Sequence, residues 1–317
     1  MYTIIPIRED FFFLQYAGDS WPTSSNIFAI PDNDGLNIID AGLNKEESFK
    51  GLRACIEKLG FSTSDIHTIL LTHGHTDHIA GARIINLHSN RRILLSDKSI
   101  PEAIDPAMQE HYCLPSSVRE ISLKIKDYDI LANFENTCGP WRLNGERILP
   151  VRDGDELKIG NYTFQAIHVP GHDIGLMVFY EPRIKVLLST DLLKASRPGN
   201  ALPWYSSSAG GPGHYLRSLQ KVEKLDVKGA FPSHGALRGA VPEMVARTRS
   251  VIVKRQAEVI DSLRRGAKTC DQLDEILFKP IVLELCPWFS CVTESHLVEL
   301  EKEGLVTRDG LEFVALS

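Results

Sequence analysis

The chain has 317 residues, 43% of them hydrophobic and 24% charged, with a formal net charge of −6. A chain of this length and composition can bury an extensive core. The acidic balance excludes a chain-wide nucleic-acid or anionic-membrane surface. No apolar run approaches the roughly 20 residues of a membrane-spanning helix, and the start, MYTIIPIRED, lacks the basic and apolar regions of a secretory leader, so a cytoplasmic location is expected. The six cysteines, at 55, 113, 138, 270, 286 and 291, form no CxxC pair and read as thiols in a reducing compartment.

In chain order, Phe11-Phe12-Phe13 reads as strand. Residues 26–30 and 36–40 form a hairpin pair around Pro31-Asp32-Asn33-Asp34-Gly35. Residues 45–59 follow a helical period, with Phe49, Leu52, Ile56 and Leu59 on one face, and the strand HTILLT comes next. This strand–helix–strand order predicts an α/β layered fold. Prolines 101, 106, 115 and 140 interrupt residues 97–145, which read as an insertion with helical pieces, placed as a lid over the site. Strands resume at 147–151, 157–168, 176–180 and 185–190. The run SSSAGGPG reads as flexible before a helix at 214–225 and a strand at 229–233. Beyond residue 240 come helices at 242–265, after Thr269 and at 292–303, then a terminal hairpin around Asp309-Gly310. The expected division is a catalytic domain over 1–240 and a small winged-helix-like domain over 241–317.

The decisive segment is Thr72-His73-Gly74-His75-Thr76-Asp77-His78. Histidines two apart at a strand end point to the same side, so both imidazoles can reach one cation. Asp77 and His78 follow where the chain turns toward a helix and can address a second. His172, Asp191 and His234 each come just after a predicted strand, where an α/β sheet presents its functional edge. Seven such polar groups are poor candidates for isolated burial in a core.

With these motifs the chain resembles the metallo-β-lactamase superfamily, in its hydroxyacylglutathione-hydrolase-like branch, over roughly residues 20–98 and 147–240. The resemblance implies a four-layer αββα sandwich. It places His73, His75 and His172 on a first metal, Asp77, His78 and His234 on a second, and Asp191 between them. It also puts Asp40 of IIDAG behind the site as a supporting residue. Zinc suits these ligands, as do iron and manganese.

The expected activity is hydrolysis by a hydroxide shared between two divalent ions, with Asp77 positioning it as a catalytic residue. A small-molecule thioester or related ester is the expected substrate. The alternatives are an endoribonuclease-like or lactone hydrolase of the same superfamily, a mononuclear iron oxygenase, and a non-catalytic binding protein. Trp204, Tyr205, His214 and Tyr215 are the candidate substrate contacts. Trp204 and Tyr205 serve equally well as anchors of their loop. His67 and His168 read as structural, and His88 and His296 as surface residues, while His111 stays open. Seven basic residues against two acidic ones across 245–268 give the C-terminal part a basic face. The glutamates of 292–303 make that helix unsuited to a nucleic-acid groove, so packing or a homodimer contact is its expected role.

Overall fold

The computed structural model describes residues 1–18, 23–86, 91–143, 148–194, 203–235 and 240–316; His88 and Leu202 lie outside them. Seven strands form a first sheet in chain order: β1 (Tyr2–Arg8), β2 (Phe11–Tyr16), β3 (Ile27–Asp32), β4 (Gly35–Ile39), β5 (Ile66–Leu70), β6 (Arg92–Ser96) and β7 (Ile148–Val151). β1 to β4 pair antiparallel. β4 to β7 pair parallel, so each step needs a crossover, and α1 (Glu46–Lys58) and α2 (Thr76–Asn86) supply two of them. The third carries four short helices: α3 (Ile100–Ile104), α4 (Pro106–Cys113), α5 (Ser116–Ile121) and α6 (Ile130–Cys138). They follow the proline punctuation read above and bury Ala103, Leu114, Val118, Ile130 and Phe134.

The second sheet contains β8 (Glu156–Ile159), β9 (Tyr162–His168), β10 (Met177–Glu181), β11 (Val186–Thr190) and β12 (Gly229–Pro232), in the order β12-β11-β10-β9-β8. The helix α7 (Gly211–Glu223) joins the parallel pair β11 and β12. Two expectations change here. The single strand expected at 157–168 is a hairpin, because Gly160, at φ +57°, turns the chain so that Ile159 pairs with Tyr162. The SSSAGGPG run is ordered, with one 3-10 turn over Ser207–Ala209, and α7 begins at Gly211.

Strand alternation builds the layers. In β3, Phe28 and Ile30 enter one core, while Ile27 and Ala29 enter another together with Leu52 and Ile56 of α1. In β10, Met177 and Phe179 share the core of Phe28, whereas Val178 and Tyr180 pack with Leu219 and Val222 of α7. The result is helix, sheet, sheet, helix. Aromatic rings fill the space between the sheets, with Phe13 and Phe28 centroids 5.2 Å apart and Phe11 and Phe164 centroids 5.9 Å apart.

The C-terminal part comprises α8 (Val241–Arg264), β13 (Lys268–Thr269), α9 (Cys270–Leu277), α10 (Pro280–Leu285), α11 (Ser290–Lys302), β14 (Val306–Asp309) and β15 (Glu312–Ala315). The Thr269 hydroxyl caps α9 by accepting from Gln272 N, and the Gln272 side chain accepts from Thr269 N in return. Gly304, at φ +71°, ends α11. Every residue of α11 from Ser290 to Leu297 is buried. Trp288, Phe289, Cys291 and Val292 join the main core rather than a separate one. His296, expected at the surface, is therefore fully buried, with Nε2 2.7 Å from the Tyr205 hydroxyl. The six cysteines are free thiols. Among the described residues no helix is long and apolar enough to cross a membrane.

Candidate metal centre

All seven predicted ligands follow strand ends on one edge of the sandwich. After β5, the chain runs through His73 and His75 before α2 opens with Asp77 and His78 in its first turn. His172 lies in the loop after β9, Asp191 directly follows β11, and His234 comes two residues after β12. Parallel and antiparallel neighbours thus point their exits at one place. The close approach at α2 depends on Gly81, where a Cβ would stand 2.0 Å from the Ala41 carbonyl oxygen. Backbone strain marks two deliveries: Asp40 has φ 60° and Thr190, just before Asp191, has φ 47°.

Three groups of donor atoms could each hold a metal ion: His73, His75 and His172; His73, His78 and Asp191; and Asp77, His78 and His234, the atoms of each group lying within 4.8 Å of one another. His172 Nε2 lies 3.0 Å from Asp191 Oδ2, and His234 Nε2 lies 3.5 Å from Asp191 Oδ1. His73 Nε2, His172 Nε2 and Asp191 Oδ1 are buried without a hydrogen-bond partner. Buried polar atoms left this way are costly, and a shared cation satisfies them together. The donor set therefore fits divalent metal.

Electrostatics follow from this crowding. Burial and the neighbouring imidazoles hold His73 and His75 well below the ordinary histidine range. Burial, then the Lys194 ammonium, lowers His172. Burial also opposes protonation of His78, but Asp40, Asp77 and Asp191 outweigh it and hold that imidazole well above its usual value. Burial would raise Asp191, yet Lys194, His234, His78 and His172 keep it well below the carboxylate range. Asp77 is lowered likewise by His78 and His234 against the cost of burial.

Beside the cluster, Asp40 is fully buried against Thr72 and His78. Its Oδ2 lies 2.8 Å from His78 Nδ1, and its carboxylate accepts from Thr72 N and Oγ1. That bond turns His78 Nε2 toward the cluster. The Trp204 carbonyl lies 3.1 Å from His172 Nδ1 and orients that ring in the same way. The Trp204 ring packs edge-on against His75 and His172, at 5.5 and 5.4 Å between centroids.

The other expected substrate contacts separate. Tyr205 has no exposure and turns away toward His296 and Arg255. Tyr215 is buried beneath the site, its hydroxyl donating to the Leu192 carbonyl at 2.7 Å. His214 lies on the exposed side of α7 beside Arg217, and His111 is exposed on α4. Neither Tyr205 nor His214 reaches the cluster, which corrects that expectation. His67 and His168 take structural partners, the Asp32 carboxylate and the Ile174 carbonyl.

Sequence reading missed three neighbours of the centre. Lys194 places Nζ 2.5 Å from Asp191 Oδ2. Asp173 lies with its Oδ2 3.8 Å from His75 Nε2, held by Ser99 Oγ and Gly175 N. Glu102 fills the space over Gly74, where a Cβ would stand 2.7 Å from its carboxyl carbon. Burial and the Asp173 carboxylate push Glu102 well above its usual range. Only Asp173 and Lys194 carried a sequence signal, being one residue beyond His172 and three beyond Asp191.

Comparison with known proteins agrees with this geometry. The family model described as the metallo-beta-lactamase superfamily matches residues 20–234. A probable metallo-hydrolase, YqjP, of Bacillus subtilis is 23% identical over 285 residues, spanning 86% of this chain and 87% of that protein. The hydroxyacylglutathione hydrolase GloC of Haemophilus influenzae is 27% identical over 169 residues, covering 51% of this chain and 63% of its own. The crystal structure of the metallo-beta-lactamase family protein TTHA1429 from Thermus thermophilus superposes with a TM-score of 0.77 at 21% identity, covering 98% of this chain and 100% of that one. The chain belongs to the metallo-β-lactamase superfamily.

Proposed function

We propose that this chain is a hydrolase that cleaves a thioester or related ester with two divalent cations, zinc being the best match to its ligands. The observation that carries the reading is the three donor groups, which share His73 and His78 and meet around Asp191. Divalent cations held there would supply ionisation of water near neutral pH and polarisation of the scissile carbonyl. His73, His75 and His172 would hold one, Asp77, His78 and His234 the other, and Asp191 would face both.

The chain's own groups do the rest. Asp77 Oδ2, 3.2 Å from His234 Nε2, stays ionised and is placed to accept a proton from the attacking water and aim it. Asp40 and the Trp204 carbonyl keep His78 and His172 in the orientations that present Nε2. The Trp204 indole walls off bulk water on the His75 side. The thioester preference is supported by the GloC similarity, whose name is that of a hydrolase acting on a glutathione thioester.

We read residues 241–317 as a winged-helix-like unit whose role is packing, because burial of α11 leaves no free face to enter a nucleic-acid groove. The test is a metal count joined to a panel of thioester, lactone and single-stranded RNA substrates. The expected result is about two equivalents of metal per chain, thioester turnover abolished by a strong chelator and restored by zinc or manganese. Full activity in metal-free protein would end this reading. RNA cleavage that falls steeply with salt would replace it with a nuclease.

A further inference from the structure

Three of the clustered histidines have an outer partner at Nδ1. For His78 it is the Asp40 carboxylate at 2.8 Å, for His73 the Thr72 hydroxyl at 3.0 Å and for His172 the Trp204 carbonyl at 3.1 Å. Each of these rings therefore shows Nε2 to the cluster. His75 is turned the other way. The group behind it, the Asp173 carboxylate, stands at Nε2, 3.8 Å away, so Nδ1 is the nitrogen left for a cation.

Asp173 is itself backed by a second carboxyl. Its Oδ1 accepts from Ser99 Oγ at 3.1 Å and from Gly175 N at 2.8 Å. Its Oδ2 and both oxygens of Glu102 are buried without a hydrogen-bond donor, yet the two carboxyls are close enough to share a proton. Glu102 arrives from α3 and enters beside Gly74, between His73 and His75, where any side chain at 74 would collide with it. Two ionised carboxylates repel strongly in a dry site, and one proton between them turns the repulsion into a charge-assisted hydrogen bond. That proton belongs on Glu102, because the bonds from Ser99 and Gly175 favour the ionised form of Asp173. Asp173 then stays anionic and faces the His75 N–H.

We propose that Glu102 and Asp173 are positioning residues, a carboxylic acid backing a carboxylate that accepts from His75 Nε2–H and so presents Nδ1 to the cation shared with His73 and His172. This rests on the two-metal hydrolase reading and adds the groups that hold one ion of the pair. Each half of the cluster then contains one histidine backed by a carboxylate, His75 by Asp173 and His78 by Asp40. Such a partner fixes the tautomer and raises the basicity of its imidazole. Loss of Asp173 should therefore loosen one cation and spare the other.

Nuclear magnetic resonance of the zinc-loaded protein, isotopically labelled at the histidine nitrogens, tests the geometry without any variant. Among the zinc-bound rings, His75 should carry its proton on Nε2 and zinc on Nδ1. Asp173→Asn keeps the size and the acceptor for Ser99 and Gly175, and turns an N–H donor toward His75. Titration of that variant with a graded chelator should release one zinc equivalent with an affinity about 10- to 100-fold weaker, the other staying as in the parent. Glu102→Leu, which cannot donate, should weaken the same equivalent by about fivefold or more, and Glu102→Gln, which can, should restore it. Zinc on Nε2 of His75 in the parent overturns the proposal. So does an unchanged affinity in Asp173→Asn, or an equal loss of both equivalents, which a merely structural role would give. If Asp173→Asn fails to fold, the His75 tautomer of the parent and the contrast between leucine and glutamine at position 102 decide. A parent with the expected tautomer and zinc affinities that turns over no thioester or other ester overturns the hydrolase reading and leaves the pair standing.

Discussion

Asp40 shows how much one residue behind the ligands can govern. It holds a left-handed backbone at φ 60°, which few non-glycine residues tolerate, and so brings its carboxylate to His78 Nδ1, Thr72 N and Thr72 Oγ1. Asparagine tolerates the same backbone, so Asp40→Asn removes the charge while sparing the turn. Metal affinity should fall by about 10- to 100-fold, the range found when an outer partner of a ligating histidine is lost. Metal content measured after dialysis against a graded chelator checks this, and an unchanged affinity would deny Asp40 its orienting role. The clustered residues were legible because their signal is local: His73, His75, Asp77 and His78 fall within six positions, and the others sit at strand ends. Lys194 was not, since a lysine three residues beyond an aspartate has no meaning until the turn after β11 folds its ammonium back.

Among the elements, α2 couples the fold most tightly to the centre. Its first turn carries Asp77 and His78, while one turn later Gly81 lies against the Ala41 carbonyl and its N–H donates to the Gly42 carbonyl. Gly81→Ala places a methyl carbon 2.0 Å from a backbone oxygen, which no rotamer relieves. The helix must move, taking Asp77 and His78 with it. A stability loss of about 3 kcal/mol or more is expected from overpacking at a backbone contact, together with lost metal binding. Urea unfolding followed by a metal count measures both. A variant as stable as the parent would show that α2 has slack. The two-sheet core was readable at this scale, since alternation along β3 and β10 assigns Phe28 and Phe179 to one face and Ala29 and Val178 to the other. The hairpin at Gly160 was not, because a glycine–asparagine pair inside an apolar run reads equally as a tolerated break within one strand.

At the scale of the whole molecule, the C-terminal part reaches the centre through contacts between distant segments. Trp204 Nε1 donates to the Trp288 carbonyl, Arg255 donates to the Pro203 carbonyl, and Tyr205 meets His296. The loop that orients His172 is therefore braced by α8, α11 and the turn before α11. His296 carries a testable consequence. Burial, then the Arg255 charge, lowers its pKa from 6.5 to about 3. The unfolded chain accepts this proton first, so the contribution to stability is complete above pH 6.5 and is lost as pH falls from there toward 3. Up to about 5 kcal/mol is at stake. His296→Gln keeps a polar group opposite Tyr205 but cannot titrate. Urea unfolding of both proteins at neutral pH and near pH 4.5 should show the wild type losing more stability than the variant, the other histidines cancelling. Parallel losses would place His296 outside the acid response.

By itself the sequence determined the layered α/β class and singled out the seven polar residues that lie together on one edge of the sandwich. These rest on local periodicity, turn chemistry and the spacing of polar residues at strand ends, all of which act over a few residues. Tertiary structure alone decided the surroundings: His296 inside rather than outside, Tyr205 beneath the loop rather than over it, and Lys194 against Asp191. The reason is visible in α11. Its polar residues find partners far along the chain, Glu294 with Ser117 and Ser207 and Thr293 with Asp274, so the helix can be buried on faces that look hydrophilic. Such a helix has no amphipathic stripe to read, and only the contacts made on folding say where its side chains go.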